Sequence, residues 1–182
     1  MHEEEKLDEA RHFLSNMAVS LDDPKVFRFE LSAFLSAARS VLQYALEEAK
    51  MKAGGHAWYN AQVSSKPEIR FFKDKRDTGI HVEPVIPTTN LNIAITDFVR
   101  ISDSVSIKVV DNDGNVVHES SAASPPPPPP AIPDPPASIS YSYTFPDWTG
   151  TEDVLALSSK YLAALDAVVK DGFAKGFLTK TP

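Results

Sequence analysis

The side chains best suited to chemistry in this sequence lie between Lys66 and Glu83. Five basic and two acidic residues occupy the stretch from Lys66 to Arg76, although the whole chain of 182 residues carries a net charge of −7. Arg76 is followed, after four intervening residues, by His81. Arginine offers paired donors to phosphate oxygens, and histidine exchanges a proton near neutral pH. The segment is the one clearly basic stretch in an acidic chain.

Three of the basic residues, Lys66, Arg70 and Lys73, are spaced for one face of a helix. We interpret them as substrate-binding residues. The acidic remainder of the chain opposes nonspecific nucleic-acid binding, because it repels phosphates at long range. The alternative is a solvated helix face, on which the basic residues are balanced by Glu68, Asp74 and Asp77.

The elements that must position this segment are helices. Apolar residues recur at steps of three and four in several stretches, which is typical of amphipathic helices. On this basis we predict helices over residues 4–20, 25–53, 67–76 and 151–175. The second has the widest apolar face, and we expect it to be the central helix of a bundle.

Local sequence signals predict where these helices begin and end. Gly54 and Gly55 are expected to stop the second helix, and Trp58-Tyr59 to pack at a helix corner. Ser65 and Pro67 are predicted to be the N-cap and an early residue of the third helix. Gly79 is expected to distort or end that helix. Thr149 and Glu152 have the spacing of a capping box before the last helix.

A different periodicity follows the third helix. Alternating residues predict strands at 105–110 and around 139–143, a return strand beginning at Val116, and, from an ambiguous pattern, a strand at 91–98. Ser124 to Ala137 contains nine prolines and is predicted to be solvated polyproline II. This tract is either an extended connector or a ligand for an aromatic groove of a protein partner.

The fold class is therefore mainly α (α+β), an up-and-down helical bundle with an inserted small antiparallel β unit and a polyproline segment. We predict one domain over 1–182, in which 88–145 is the β and proline-rich insertion. Residues 149–176 then return to the bundle as a helix.

Several other functions are disfavoured by the composition. The chain has no cysteine, which excludes disulfides and thiolate zinc sites. His2, His56 and His118 lack metal-ligand spacing, and the turn at 111–114 does not fit a calcium loop, so we expect no metal and no cofactor. No apolar run approaches the roughly 20 residues of a membrane span, and no signal peptide is evident. We expect a cytoplasmic protein without membrane association.

The motif and the helices before it resemble the HEPN superfamily of helical-bundle proteins. R-D-T-G-I-H, from Arg76 to His81, is similar to that family's signature of arginine, a polar residue, three more residues and histidine. The stretch 27–42, F-R-F-E-L-S-A-F-L-S-A-A-R-S-V-L, resembles the long helix that precedes the motif, and 69–77, I-R-F-F-K-D-K-R-D, resembles the motif helix. The resemblance covers about residues 5–83, and the β insertion and proline tract have no counterpart in it.

The resemblance implies a homodimeric, metal-independent endoribonuclease in which two motif helices form one composite cleft. His81 would act as the acid or base on RNA, Arg76 as the phosphate clamp, and Asp77 would orient one of them. Five residues on a regular helix rotate by about 140°, so these two side chains would diverge. Either Gly79 redirects the backbone, or the pair converges across the dimer.

Other interpretations remain open. Arg76 could pair with Asp74 or Asp77 while His81 caps a helix end, which would be a structural role. The protein would then be a non-catalytic, dimeric interaction module of the same fold, which binds a protein through its insertion and proline tract. A third interpretation is a small-molecule sensor with an apolar pocket between the helices and the β insertion.

Overall fold

The computed structural model describes residues 2–81, 85–94, 106–121 and 138–180, with the backbone alone at 76–81, 94, 106–107 and 120–121. The helices are α1 (Glu3–Val19), α2 (Pro24–Ala49), α3 (Gly55–Ser64), α4 (Pro67–His81) and α5 (Val154–Ala174). The strands are β1 (Thr88–Ala94), β2 (Ser106–Val110), β3 (Val116–Ser121) and β4 (Ser138–Thr144). The predicted class, mainly helical with a small antiparallel β component, is confirmed.

The chain divides into two compact units. The first comprises Met1–Asn92 and Ser140–Pro182, and the second comprises Ile93–Ile139. Within the first unit, α1 packs along α2, and α5 packs against α1, α2 and α4. Its core holds the buried stripe of α2, including Phe34, Leu35 and Ala38, as the apolar periodicity predicted.

The start of α2 follows directly from its sequence. Asp23 accepts hydrogen bonds from the backbone N–H groups of Lys25 and Val26, both at 3.0 Å. Pro24 occupies the first turn, where the missing N–H costs nothing and the fixed φ suits a helix. The predicted break between the first two helices is therefore confirmed.

Helix α3 was not predicted from the sequence, which assigned Trp58 and Tyr59 to a helix corner. Helix α2 already ends at Ala49, and the two glycines begin α3 rather than stop α2. Gly54 has φ +78°, which favours glycine, and a Cβ on Gly55 would lie 1.9 Å from the Ala49 carbonyl oxygen. The glycines thus permit a tight turn between two helices.

The bounds of α4 correct two further predictions. The helix was predicted to end near Arg76, but it continues through Gly79 to His81. Ser65 does not cap it, since the Ser65 hydroxyl donates to the Gln62 carbonyl at 3.1 Å and so belongs to the end of α3. Pro67 is the first residue of α4, as expected.

The capping box predicted before the last helix is wrong. Asp153 caps α5, because its carboxylate accepts from the Ala156 N–H at 2.7 Å. Glu152 instead accepts from the indole N–H of Trp148 at 2.9 Å and pairs with Lys160. The hydrogen bonds from Lys160 and then Trp148 lower the pKa of Glu152 to about 2.

Two small sheets account for the predicted strands. β2 and β3 form an antiparallel hairpin with Val109 opposite His118, closed by a turn in which Asp111 accepts from the Asn115 N–H at 2.8 Å. β1 pairs with β4. The predicted strand at 91–98 in fact begins at Thr88, and its last residues, 95–98, lie outside the described residues. The proline tract at 124–137 also lies outside them.

Candidate functional site

Helix α4, which carries the basic run, is anchored by aromatic packing on its inner side. Ile69 and Phe72 are buried. The Phe72 ring stacks on Tyr161 of α5 with centroids 4.7 Å apart and meets Phe34 of α2 edge-on at 6.5 Å. These contacts fix the rotation of α4 about its axis and so determine which of its residues can face solvent.

The predicted substrate-binding residues lie beside this buried side, since Lys73 follows Ile69 by four residues. Lys66 directly precedes the helix, and Arg70 and Lys73 follow within it at steps of four and three. Arg70 is exposed, and its guanidinium forms no ion pair with any described residue. Lys66 and Lys73 are half-buried. We call Lys66, Arg70 and Lys73 the basic row.

Two other charged residues of the run face away from the basic row. Lys75 pairs with Asp147 at 2.7 Å. Glu68 acts on Lys160 of α5, whose pKa is raised first by its hydrogen bond to Glu152 and to a smaller extent by the charge of Glu68. Glu68 therefore does not balance the charges of the basic row, although the alternative of a solvated helix face predicted that it would.

The three predicted catalytic residues, Arg76, Asp77 and His81, lie on the last part of α4, and their side chains lie outside the described residues. The backbone nevertheless shows that Gly79 does not redirect the chain between positions 76 and 81, because the helix continues through it. Positions 76 and 81 are therefore separated by about 140° of rotation and about 7.5 Å along the axis. One unbroken helix does not bring both positions to the same side.

The two positions continue different rows of α4. Residues 77 and 81 extend the row of Arg70 and Lys73 at steps of four. Residue 76 instead follows Ile69 and Phe72, which are the buried residues of the helix. The basic row thus leads towards position 81, while position 76 continues the row of Ile69 and Phe72.

A polar cluster at the junction of α3, α4 and α5 was missed by sequence reasoning. Asp171 accepts from the Trp58 indole N–H at 2.6 Å and from the Gln62 amide at 2.8 Å, and it pairs with Lys175 at 3.0 Å. The hydrogen bond from Trp58 is the main cause that lowers the pKa of Asp171. Gln62 in turn accepts from the Lys66 ammonium at 2.5 Å.

No sequence signal pointed to this cluster. Trp58 and Gln62 are more than 100 positions from Asp171, and they lie on the helix that the periodicity did not predict. A spacing of four between Trp58, Gln62 and Lys66 is the one local pattern that could have suggested a shared helical face.

The described residues give no support to a metal site. No group of three histidine, aspartate or glutamate side chains among them could hold an ion. A cleft of about 340 Å³ opens between α1 and α5, but its lining mixes Leu7 and Val169 with charged side chains. Arg11, which pairs with Asp8 at 2.5 Å and with Asp166 at 2.9 Å, is one of six charged side chains in this lining.

Among the helices in the described ranges, none has the length and apolar character to cross a bilayer. Comparison of the chain with protein-family models, with curated proteins and with solved structures finds no match in any of the three.

Proposed function

We propose that this protein is a HEPN-like, dimeric, metal-independent endoribonuclease whose active site is built on α4. The observation that carries the proposal is the unbroken course of α4 from Pro67 to His81. It places the basic row and the R-D-T-G-I-H motif on one helix, so that a bound RNA strand could run from the phosphate contacts to the reacting groups. The proposal places the protein in the cytoplasm, where RNA substrates occur.

In the proposed reaction, His81 removes the proton from an RNA 2′-hydroxyl, and the 2′-oxygen attacks the adjacent phosphorus. The bond from phosphorus to the 5′-oxygen breaks, that oxygen takes a proton from a water molecule, and protonated His81 gives its proton back to the solvent. The products are a 2′,3′-cyclic phosphate and a free 5′-hydroxyl. Arg76 stabilises the negative charge on the phosphate oxygens in the transition state, and Asp77 orients one of the two. No metal ion takes part.

The helix geometry favours a site to which two subunits contribute. Positions 76 and 81 diverge by about 140° on one regular helix, so a single α4 does not present both positions on one face. We therefore propose that Arg76 of one subunit acts with His81 of the partner subunit. A two-fold axis generates two equivalent sites of this kind in each dimer.

Cleavage of a mixed single-stranded RNA in EDTA tests the proposal. The wild type, Arg76→Ala and His81→Ala are compared after their folding and oligomeric mass are shown to be equal. We expect metal-independent cutting by the wild type and a loss of roughly 100-fold or more in each variant, since general acid–base catalysis contributes about that much. Cutting that neither substitution changes would assign the activity to another site or to a contaminant.

A second candidate function is the non-catalytic interaction module. Two observations favour it: the net charge of −7, and the position of residue 76 in the row of Ile69 and Phe72, where a structural role is natural. The proline tract at 124–137 would then be the segment that binds a protein partner. A folded dimer that cuts no RNA would support this alternative.

A further inference from the structure

The amide of Gln62 has an orientation that its neighbours fix. Its nitrogen donates to the Asp171 carboxylate at 2.8 Å, and an ionised carboxylate can only accept hydrogen bonds. Its oxygen must then be the atom that accepts from the Lys66 ammonium at 2.5 Å, and an ammonium has only donors. Both contacts demand the same orientation, so Gln62 is a defined link between α5 and the start of α4.

Asp171, which anchors this link, is itself held by two further contacts. Asp171 is also held by the Trp58 indole at 2.6 Å, and the Trp58 ring stacks on Phe177 with centroids 5.2 Å apart. The charge of Asp171 is countered by Lys175 at 3.0 Å. Asp171 therefore orients Gln62, and its carboxylate, which pairs with Lys175, also interacts with the charge of Lys66.

Gln62 is neutral, so it adds no negative charge of its own beside Lys66. The amide oxygen uses one of the three ammonium donors and does not neutralise the charge, whereas a carboxylate at the same place would. Lys66 stands one helical turn before Arg70, whose guanidinium forms no ion pair with any described residue. The two cations thus begin one row on the same side of α4.

We propose that Gln62 is a positioning residue, which holds the ammonium of Lys66 at the start of the basic row for contact with a phosphate of single-stranded RNA. This inference rests on the proposed function and deepens it. It assigns a role to a residue outside the motif, on a helix that precedes the motif helix.

The test measures binding of a labelled oligouridylate at several salt concentrations. A plot of log affinity against log salt concentration has a negative slope, and each phosphate contact with a single strand adds about 0.7 to the magnitude of that slope. We expect Gln62→Glu and Lys66→Gln each to reduce the magnitude of this negative slope by about 0.7, and the double variant to reduce it no further. Gln43→Glu, on the exposed side of α2, is the control with the same change of charge.

A second variant avoids the added charge. Gln62→Leu removes both hydrogen bonds, and we expect it to weaken binding in the wild type but not in the Lys66→Gln background. A merely structural role of Gln62 would weaken both proteins equally. Thermal unfolding of each variant identifies any that do not fold.

The outcomes separate the inference from the proposed function. If the wild type does not bind the oligouridylate, the proposed function fails and the inference fails with it. If the wild type binds but Gln62→Glu and Gln62→Leu keep its slope and affinity, the inference alone is overturned. A loss of slope in Gln43→Glu equal to that in Gln62→Glu would also overturn it, because the effect would then be one of overall charge.

Discussion

Lys75 places its ammonium 2.7 Å from the carboxylate of Asp147, over the rings of Phe71 and Phe145 at 5.6 and 5.4 Å from their centroids. Five residues earlier on the same helix, the guanidinium of Arg70 is exposed and forms no ion pair with any described residue. The basic run therefore contains cations of two kinds. Lys75 already has its electrostatic partners within the fold, and Arg70 can meet a ligand.

This difference predicts opposite effects of two similar substitutions on RNA binding. Arg70→Gln should reduce the magnitude of the salt slope for a single-stranded RNA by about 0.7, because one phosphate contact is lost. Lys75→Gln, its matched control, removes the same charge from the same helix and should leave the slope nearly unchanged. Equal slopes for the two variants would mean that binding responds to overall charge and not to the basic row.

The periodic parts of the fold could be predicted from the sequence. The apolar stripes of α1, α2 and α5 set helices within a few residues of their observed bounds, because each stripe must be buried against its neighbours. The row of Lys66, Arg70 and Lys73 was also correct, since it depends only on α4 being a helix.

Other features depend on forces that local patterns do not contain. Helix α3 has only three buried residues, Gly55, Trp58 and Tyr59, so it shows no long apolar stripe. Gly79 failed to end α4, because one glycine costs a helix only about 1 kcal/mol, which three preceding turns can offset. The Asp171 cluster joins residues that are distant in sequence and arises only when α3 and α5 pack together.

The anchor of β4 offers a test of the fold itself. Tyr143 stacks on Phe27 with ring centroids 3.7 Å apart, and its hydroxyl donates to the Leu21 carbonyl at 2.7 Å. Tyr143→Phe keeps the stacked ring but leaves a carbonyl without its donor, and should lower the free energy of unfolding by about 1 kcal/mol. Urea unfolding measures this change.

Tyr141→Phe is the control for that substitution, because the half-buried Tyr141 lies on the same strand and its hydroxyl makes no hydrogen bond with a described residue. We expect little change in its unfolding midpoint. A Tyr143→Phe variant as stable as Tyr141→Phe would contradict the anchoring role of the hydroxyl.

Ser158 predicts a change in the opposite direction. It is fully buried on α5, and its hydroxyl has no hydrogen-bond partner among the described residues. Ser158→Ala removes an unsatisfied polar group and should raise the free energy of unfolding by about 1 kcal/mol or more. The neighbouring Ser159→Ala, which loses an exposed hydroxyl bonded to the Leu155 carbonyl, controls for the higher helix propensity of alanine. An equal gain in both variants would show that propensity alone is responsible.

The central claim is that α4 carries a ribonuclease site completed by two subunits, and a mixed dimer tests it most directly. Arg76→Ala and His81→Ala chains are co-expressed with different tags, and the heterodimer is purified and assayed on single-stranded RNA in EDTA. We predict that each homodimer is inactive and that the heterodimer recovers about half of the wild-type activity, because one of its two sites combines an intact Arg76 with an intact His81. A heterodimer as inactive as the two homodimers, formed from chains whose wild-type dimer cuts RNA, would contradict the shared site.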